Sequence, residues 1–146
     1  MIVYKQGNLF DSNVDALVQG CNTQGIMSAG IAVEFKKRFP DMYESYRQLC
    51  NNEMFILGSG QFYENPTTPH VINLATQESG GAHIRYIKHS LKWIDEKHKE
   101  WGIESIAMPR IGCGLGGLDW EIVQSIIERR LGNSELRVEV WTLPGL

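Results

Sequence analysis

The chain has 146 residues, of which 42% are hydrophobic and 21% charged, and its formal net charge is -3. This length suits one domain with a single core, and the composition excludes a disordered or low-complexity chain. The small negative charge lacks the basic excess of a protein that holds a nucleic-acid backbone, so nucleic acid is not the expected partner. We therefore expect one globular domain over residues 1–146, present as a monomer.

Membrane insertion and disulfide bonding are not expected either. No apolar run approaches the roughly 20 residues that a membrane span requires, and the chain starts directly with the strand-like sequence IVYK. Cys21, Cys50 and Cys113 are odd in number and widely spaced, which argues against a disulfide framework and a zinc site. We expect a protein of the reducing cytoplasm without a membrane contact, a metal or a cofactor.

Six short apolar runs, several of them rich in Val, Ile and aromatic residues, predict β-strands. They cover residues 2–4, 16–18, 61–63, 71–75, 105–108 and 138–143. Helical patterns separate most of these runs. Strands that alternate with helices predict a layered α/β domain with a mostly parallel central sheet of about six strands.

Two helices are predicted between the second and third strands. Gly30 opens the first, whose apolar residues recur at i, i+4 and i+8 until Pro40 ends it. Asp41 and Glu44 resemble a capping box that starts the second helix. The predicted core positions are Ile31, Phe35 and Phe39, followed by Met42, Tyr46 and Leu49.

The two longer helical patterns lie in the second half of the chain. One runs from about Ile84 to Trp101, with an apolar face towards the core and a basic face outside. The other has Asp119 as its cap and Gly132-Asn133 as its stop. Acidic residues interrupt the basic face of Arg85, Lys88, Lys92 and Lys99, so a solvated surface is favoured over an RNA-binding track. The four tryptophans are expected at the core or its edge.

Polar or glycine-rich segments follow three predicted strands: CNTQGIMSAG, TQESGGAH and PRIGCGLGG. In parallel α/β sheets, ligands bind beyond the carboxyl ends of the strands, so these segments should form one composite pocket. Residues 30–32 start a helix, where unpaired N–H groups favour an anion. The glycines between 112 and 117 let the backbone approach a ligand closely. Either loop alone would be read as a tight turn, but two such loops predict a diphosphate site.

The last glycine-rich segment matches one nucleotide-binding motif by its spacing. Gly112-x-Gly114-x-x-Gly117 satisfies G-x-G-x-x-G, and Glu139 follows about 20 residues later. A Rossmann domain places that motif after its first strand, whereas here only one helix and one strand remain. A Walker lysine is also absent, because G-K-[ST] occurs nowhere in the sequence. Neither a dinucleotide-binding domain nor a nucleotide triphosphatase is expected.

Three motifs resemble the macrodomain family: QGN at residues 6–8, GCN…AGIA at 20–32 and MPRIGCGLGGLDW at 108–120. The resemblance extends to the closing VEVWTL. It is strongest to the branch with terminal ADP-ribose protein glycohydrolase, DarG-type macrodomains and small ADP-ribose-1''-phosphate phosphatases. It implies a macrodomain-like three-layer α/β/α fold, with a central mixed sheet, that binds ADP-ribose or a derivative of it.

The resemblance also implies a set of contact residues. The diphosphate would lie between residues 28–32 and 111–115. Asn8 falls on the adenine-recognising aspartate of the family's G-D-[IL] motif, where an amide can accept from the adenine amino group without charge assistance. Asn22 matches the asparagine beside the distal ribose. The expected contacts are Asn8, Leu9, Asn22, Met27, Ser28, Ala29, Gly30, Ile31, Ala32, Thr76, Gln77, Ser79, Pro109, Ile111, Gly112, Cys113, Gly114, Leu115 and Gly116.

Departures from the family pattern bear on the reaction. In the glycohydrolase branch a lysine attacks the distal ribose and an aspartate assists, and these positions fall on Gln77 and Gly116. The phosphatase-like members share the Asn of the first motif and a Gly-Gly segment such as residues 80–81. The resemblance therefore favours hydrolysis of ADP-ribose-1''-phosphate to ADP-ribose and phosphate. The alternatives are removal of ADP-ribose from proteins or nucleic acid, a non-catalytic reader of ADP-ribosylated proteins, and an RNA-end binder.

Three residues are the candidates for catalysis. Asn22 would orient a water or ribose hydroxyls, while His83 or Glu78 would deprotonate the water. The alternative for His83 is a residue that merely precedes a helix, and for Glu78 a solvated loop residue. Backbone amides around Cys113 are expected to lower its pKa, yet no histidine is paired with it, so packing is its expected role.

Overall fold

The computed structural model describes residues 1–143, and the predicted domain's residues 144–146 lie outside them. The described part contains seven β-strands and four α-helices. The strands are β1 Ile2–Gln6, β2 Ala16–Asn22, β3 Gly60–Tyr63, β4 His70–Glu78, β5 Gly81–Ala82, β6 Ser105–Met108 and β7 Arg137–Thr142. The helices are α1 Ile31–Arg38, α2 Pro40–Asn51, α3 Ile84–Trp101 and α4 Trp120–Leu131. A 3-10 helix spans Leu9–Asp11.

The strands form one mixed sheet in the order β1-β7-β6-β2-β4-β3. All pairs from β1 to β4 in this order are parallel, while β3 and the short β5 pair with β4 antiparallel. The predicted mixed, mostly parallel sheet is confirmed, with seven strands where about six were expected. The additional strand, β5, has only two residues, which is too short to show an alternating apolar pattern.

Two hydrophobic clusters fill the space on either side of the sheet, which confirms the predicted three-layer α/β/α architecture. Alternate residues of β2 face opposite clusters: Ala16 and Val18 pack towards α3 and α4, whereas Leu17 and Cys21 pack towards α1 and α2. All four tryptophans pack, partly buried, against these clusters. No helix among residues 1–143 has the length and apolar character to cross a bilayer.

The helices begin and end close to the predicted residues, with one error. Asp119 caps α4 as predicted, because its carboxylate accepts a hydrogen bond from the Glu121 amide at 2.9 Å. The predicted capping box of α2 is wrong: the helix starts at Pro40, and no side chain caps it. Proline has a helical φ and lacks an N–H that would need a partner, so it starts the helix one residue before Asp41.

A β-bulge shifts the register between β2 and β4 near their carboxyl ends. Cys21 pairs with Ala75, but Asn22 pairs with Gln77, so Thr76 is an extra residue in β4. Thr76 is fully buried, while Gln77 lines an open cleft at this edge of the sheet. The bulge therefore decides which residue of this strand reaches the cleft.

Candidate functional site

A cleft of about 1060 Å³ lies at the carboxyl-end edge of the sheet. It is lined by residues that follow β1, β2, β6 and β7, by the start of α1 and by the end of β4. The lining includes the expected contacts Asn8, Leu9, Asn22, Met27, Ser28, Ala29, Gly30, Ile31, Ala32, Gln77, Pro109, Ile111, Gly112, Cys113, Gly114, Leu115 and Gly116. Its volume is at the upper end of the range for small-molecule sites.

The first side of the cleft, residues 28–32, presents backbone amides at the start of α1. None of these five amides has a hydrogen-bond acceptor among the described residues. Gly30 adopts φ +62°, and a Cβ built there would meet nothing within 4 Å. Gly30 is therefore selected by its backbone conformation, and the space in front of it is open to a ligand. Unpaired N–H groups at the positive end of a helix dipole favour an anion.

The opposite side is the glycine loop, residues 111–118. Internal hydrogen bonds fix its shape, with the Leu118 amide donating to the Gly112 carbonyl at 2.9 Å and the Gly117 amide to Gly114 at 3.2 Å. The amides of Gly112, Gly114, Leu115 and Gly116 have no acceptor within residues 1–143. The loop thus holds several donors in fixed positions facing residues 28–32, and a diphosphate between the two sides would satisfy donors on both.

The glycines of this loop differ in how much space a side chain would find at each position. A Cβ on Gly112 would lie 2.7 Å from the Ile87 side chain, and one on Gly116 would lie 2.6 Å from the Gly112 carbonyl oxygen. A Cβ on Gly114 would meet nothing within 4 Å. Gly112 and Gly116 are therefore needed for packing, whereas Gly114 has free space beside it. No side chain fits at Gly116 without movement of the loop.

Asn22 holds the segment that leads to the first side of the cleft. Its Oδ1 accepts from the Gln24 amide at 3.0 Å and the Ile26 amide at 3.3 Å, and its Nδ2 donates to the Ile26 carbonyl at 2.9 Å. The buried Tyr46 hydroxyl also lies 2.9 Å from Oδ1. Burial raises the Tyr46 pKa, so this hydroxyl stays a donor. Only one N–H of Asn22 remains for a ligand or a water.

Aromatic residues gather at the end of the cleft that follows β1 and β7. Phe10, Trp141 and the 3-10 helix lie here, and the Arg38 guanidinium sits 4.5 Å from the centre of the Phe10 ring. Arg38 is also paired with Glu34 at 2.8 Å. Stacking surfaces of this kind suit a nucleobase. The opposite end, around Asn22 and Gln77, is polar and suits a sugar.

Glu139 holds the aromatic end together although it does not line the cleft. It is 5% exposed, and its Oε1 accepts from the Trp141 indole at 2.9 Å and the Ser12 hydroxyl at 2.6 Å. Arg137 donates to Oε2 at 3.0 Å. Burial alone would raise the Glu139 pKa, but these hydrogen bonds and the nearby Lys5 charge outweigh it and lower that pKa. The carboxylate is therefore a fixed anchor for the indole.

The structure places four of the predicted site residues outside the cleft lining. Thr76 is fully buried, and its hydroxyl occupies the space beside Gly20 that a Cβ would need. Glu78, the last residue of β4, and Ser79, which follows it in the hairpin between β4 and β5, are exposed and do not line the cleft, although the neighbouring Gln77 does. His83 is the exposed N-cap residue of α3, and its ring packs edge-on against Tyr86, with centroids 5.4 Å apart.

Cys113 lines the cleft, but the predicted effect of its surroundings on its pKa is wrong. Partial burial raises the pKa of this thiol, and that effect outweighs the lowering by the Arg110 charge. The nearby amides do not reverse it. Cys113 is thus a thiol rather than a thiolate near neutral pH, which agrees with the expected packing role.

Sequence reasoning missed several residues of the cleft. Arg38, Arg110 and Trp120 line it, and the Arg110 guanidinium lies 4.9 Å from the Trp120 ring. Among the described residues of the lining, the ones with a formal charge are Glu34, Arg38 and Arg110. The motif MPRIGCGLGGLDW contains two of the missed residues, so their proximity to the glycine loop was the one available signal.

Comparisons with family models, curated proteins and solved structures all indicate the same family. A family model described as Macro domain matches residues 18–127. The DNA ADP-ribosyl glycohydrolase of Mycobacterium tuberculosis is 36% identical over 132 residues, which cover 85% of this chain and 37% of that protein. The chain therefore spans little more than a third of that relative's length.

Two shorter relatives match over most of their length. The ADP-ribose glycohydrolase OARD1 of Bos taurus is 33% identical over 146 residues, covering 97% of this chain and 91% of that protein. The ADP-ribose 1''-phosphate phosphatase of Candida albicans is 27% identical over 145 residues, covering 88% and 92%.

Solved structures agree with the sequence comparisons. The macrodomain of Mycobacterium tuberculosis DarG superimposes with a TM-score of 0.91 at 29% identity, covering 97% of both chains. Thermosipho africanus DarTG in complex with ADP-ribose gives a TM-score of 0.89 at 30% identity, covering 98% of this chain and 42% of that one.

Proposed function

The chain belongs to the macro domain family, and from that premise we propose that its cleft binds ADP-ribose and that the protein hydrolyses a derivative of it. The observation that carries the proposal is the pair of facing amide groups, residues 28–32 and the glycine loop, whose donors have no acceptor in the described chain. The relatives' names, which all refer to hydrolysis of an ADP-ribose group or derivative, support it.

The proposed orientation of ADP-ribose matches each part of the ligand to the residues along the cleft. The diphosphate lies between residues 28–32 and the glycine loop, the base lies against the aromatic end, and the distal ribose lies towards Asn22 and Gln77. The order of the strands supports this direction, because β1 and β7 are at one edge of the sheet and β2 and β4 are towards the other. The ligand then crosses β6, whose following loop holds the phosphates.

We propose ADP-ribose-1''-phosphate as the substrate, attacked by water without a covalent intermediate. No lysine lines the cleft within residues 1–143, and Gly116 has no room for an assisting carboxylate. The water oxygen attacks phosphorus while the bond from phosphorus to the 1''-oxygen breaks. The water's proton passes through a phosphate oxygen of the substrate to the departing 1''-oxygen, which leaves ADP-ribose and inorganic phosphate. Amides of the glycine loop offset the charge that develops.

Asn22 keeps the role of orienting the water through its remaining N–H, while His83 and Glu78 stay as alternative bases. Since neither residue lines the cleft, each would act only after movement of the hairpin or through an intervening water. The substrate's own phosphate needs neither, so we favour it as the base.

The second candidate is removal of ADP-ribose from a macromolecule. The names of the mycobacterial and bovine relatives favour it, because both are glycohydrolases, and the former acts on DNA. A binding-only reader is the third candidate, favoured by the scarcity of acids and bases in the lining.

Calorimetric titration with ADP-ribose tests the binding step, and the absence of heat at millimolar ligand would contradict it. Gly30→Glu is expected to abolish binding by repelling the diphosphate. Separate incubations with ADP-ribose-1''-phosphate, ADP-ribosylated protein and ADP-ribosylated DNA then identify the reaction. Release of phosphate from the first supports our proposal. Release of ADP-ribose from either of the others supports the second candidate, and binding without release supports the reader. A covalent ribosyl adduct trapped with borohydride would refute direct attack by water.

A further inference from the structure

Among the described residues that line the cleft, Arg110 is the charged residue that no ion pair neutralises. The other two, Glu34 and Arg38, are paired with each other at 2.8 Å. Arg110 forms no salt bridge within residues 1–143, and its side chain is exposed. A cation that lines a ligand cleft without an internal counter-ion favours an anion in front of it.

Two contacts hold the Arg110 side chain in place. Its Nε donates to the Thr142 hydroxyl at 3.1 Å, and its guanidinium lies 4.9 Å from the centre of the Trp120 ring. Trp120 is the first residue of α4 and packs, partly buried, against the core, so the ring is a fixed platform. Neither contact uses the two Nη groups, which have no acceptor in the described chain. This pair of donors matches the geometry of a phosphate.

Arg110 lies between the parts of the cleft to which the proposed orientation assigns the diphosphate and the base. Towards the glycine loop, its charge is close enough to Cys113 to lower the pKa of that thiol, although burial outweighs this effect. Towards the base, its partner Thr142 directly follows Trp141 at the end of β7. The adenosine ribose joins the diphosphate to the base, so it lies beside Arg110. Its 2'-hydroxyl is on the carbon next to the one that carries the base.

We propose that Arg110 forms a second phosphate site, which binds a phosphate ester on the 2'-hydroxyl of the adenosine ribose. The favoured ligands are ADP-ribose derivatives with this additional phosphate. ADP-ribose itself carries only the diphosphate, which the backbone amides hold, and places no anion at this ribose. A 2'-phosphate adds negative charge there and offers three oxygens to the Nη groups. This inference rests on the proposed function, because it assumes the orientation of ADP-ribose given above.

Calorimetric titrations with ADP-ribose and with 2'-phospho-ADP-ribose test the inference. The parent should bind the 2'-phosphorylated ligand at least about fivefold more tightly, a modest preference because the guanidinium is exposed. The Asp119 carboxylate, whose charge also reaches Cys113, limits the gain further. Arg110→Gln removes the charge and should bring the ratio of the two affinities to about one or below. Arg110→Lys keeps the charge but lacks the fork, so it should give an intermediate ratio.

Arg129→Gln is the matched control. Arg129 is an exposed residue of α4 outside the cleft lining, so the same loss of net charge should leave the parent's ratio unchanged. Thermal unfolding checks that each variant is folded, and because Arg110 is exposed we expect midpoints close to that of the parent. If Arg110→Gln did not fold, Arg110→Lys would decide, and an unchanged ratio in it would contradict the inference.

Equal affinity of the parent for the two ligands would overturn the inference while the proposed function stands. An equal loss of affinity for both ligands in Arg110→Gln would also overturn it, because the guanidinium would then serve the diphosphate. If the parent bound neither ligand, the proposed function would fail together with the inference, and the titration with ADP-ribose alone reveals that case.

Discussion

A negative charge at Gly114 should weaken ligand binding without weakening the fold. Gly114 lies on the glycine loop with an unpaired amide and no positive φ, and a Cβ there meets nothing within 4 Å. Gly114→Glu therefore adds a carboxylate beside the proposed diphosphate at little structural cost. Two unit charges about 4 Å apart repel by ~1 kcal/mol in bulk water and ~4 kcal/mol at an effective dielectric constant of about 20. Since Gly114 is exposed, we expect a loss of roughly 1–3 kcal/mol, or about five- to 150-fold in affinity.

Calorimetric titration of ADP-ribose at physiological salt measures this loss, because contacts shorter than the Debye length of about 8 Å are not screened out. Gly114→Ala is the control for the side chain, and it should bind within about twofold of the parent. Gly80→Glu is the control for net charge, since Gly80 is equally open, also lacks a positive φ and lies outside the cleft lining. If Gly114→Glu bound ADP-ribose as tightly as these controls, the diphosphate would not lie against the glycine loop.

Gly116→Asp should lower the free energy of unfolding by about 1–3 kcal/mol through overpacking and should not create glycohydrolase activity; urea unfolding and a release assay check both. Glu139→Gln should lower stability at pH 7 by about 1–2 kcal/mol as charge-assisted hydrogen bonds become neutral ones. Folding lowers the pKa of Glu139, so its carboxylate stabilises the fold above its unfolded pKa, and this stabilisation is lost as the pH falls through the folded pKa. In urea titrations below about pH 4.5, the parent should therefore lose this contribution, whereas Glu139→Gln should not. Asn22→Ala should weaken ADP-ribose affinity as well as turnover, because the segment before the first side of the cleft loses several hydrogen bonds at once; unchanged affinity in calorimetry would contradict this. His83→Ala and Glu78→Ala should each change the rate of phosphate release less than tenfold, and a loss of 10²-fold or more in either would identify that residue as the base.

The sequence predicted best the elements whose pattern is long and regular. The bounds of α3 were correct because 18 residues give an apolar face that repeats over several turns. β4 was predicted only as far as Ala75, although the strand continues to Glu78. Its last residues are polar and lie beyond a bulge, so they show no alternation. β5 depends on pairing with that extension and was missed for the same reason.

The site was predictable where it depends on contiguous residues and unpredictable where it depends on distant ones. The amides of residues 28–32 and of the glycine loop belong to short motifs, and their roles can be read from glycine and helix-start chemistry. Trp141 is held through Glu139 to Ser12, which is 127 residues away from that carboxylate. The stacking of Arg38 on Phe10 likewise has no local signal. Such contacts arise from the fold, so they were visible only in the structure.

The composition of the cleft limits how fast any hydrolysis can be. Donors that hold the diphosphate bind it equally in the substrate and in the transition state, so they lower KM without raising kcat. Acceleration must come from groups that stabilise the charge of the transition state more than that of the bound substrate. The candidates are the amide of Gly116 and the one free N–H of Asn22. Both are fixed in position, Gly116 by its carbonyl bond to the Ala82 amide and Asn22 by its loop contacts. Apart from Glu34, which is paired with Arg38, the described lining contains no carboxylate and no histidine. The proposed reaction therefore depends mainly on electrostatic stabilisation, whereas a general base typically contributes about 10²–10⁴-fold. We therefore expect the proposed hydrolysis to be slow, and a kcat at the level of an ordinary enzyme would require a base that enters the cleft from the hairpin between β4 and β5.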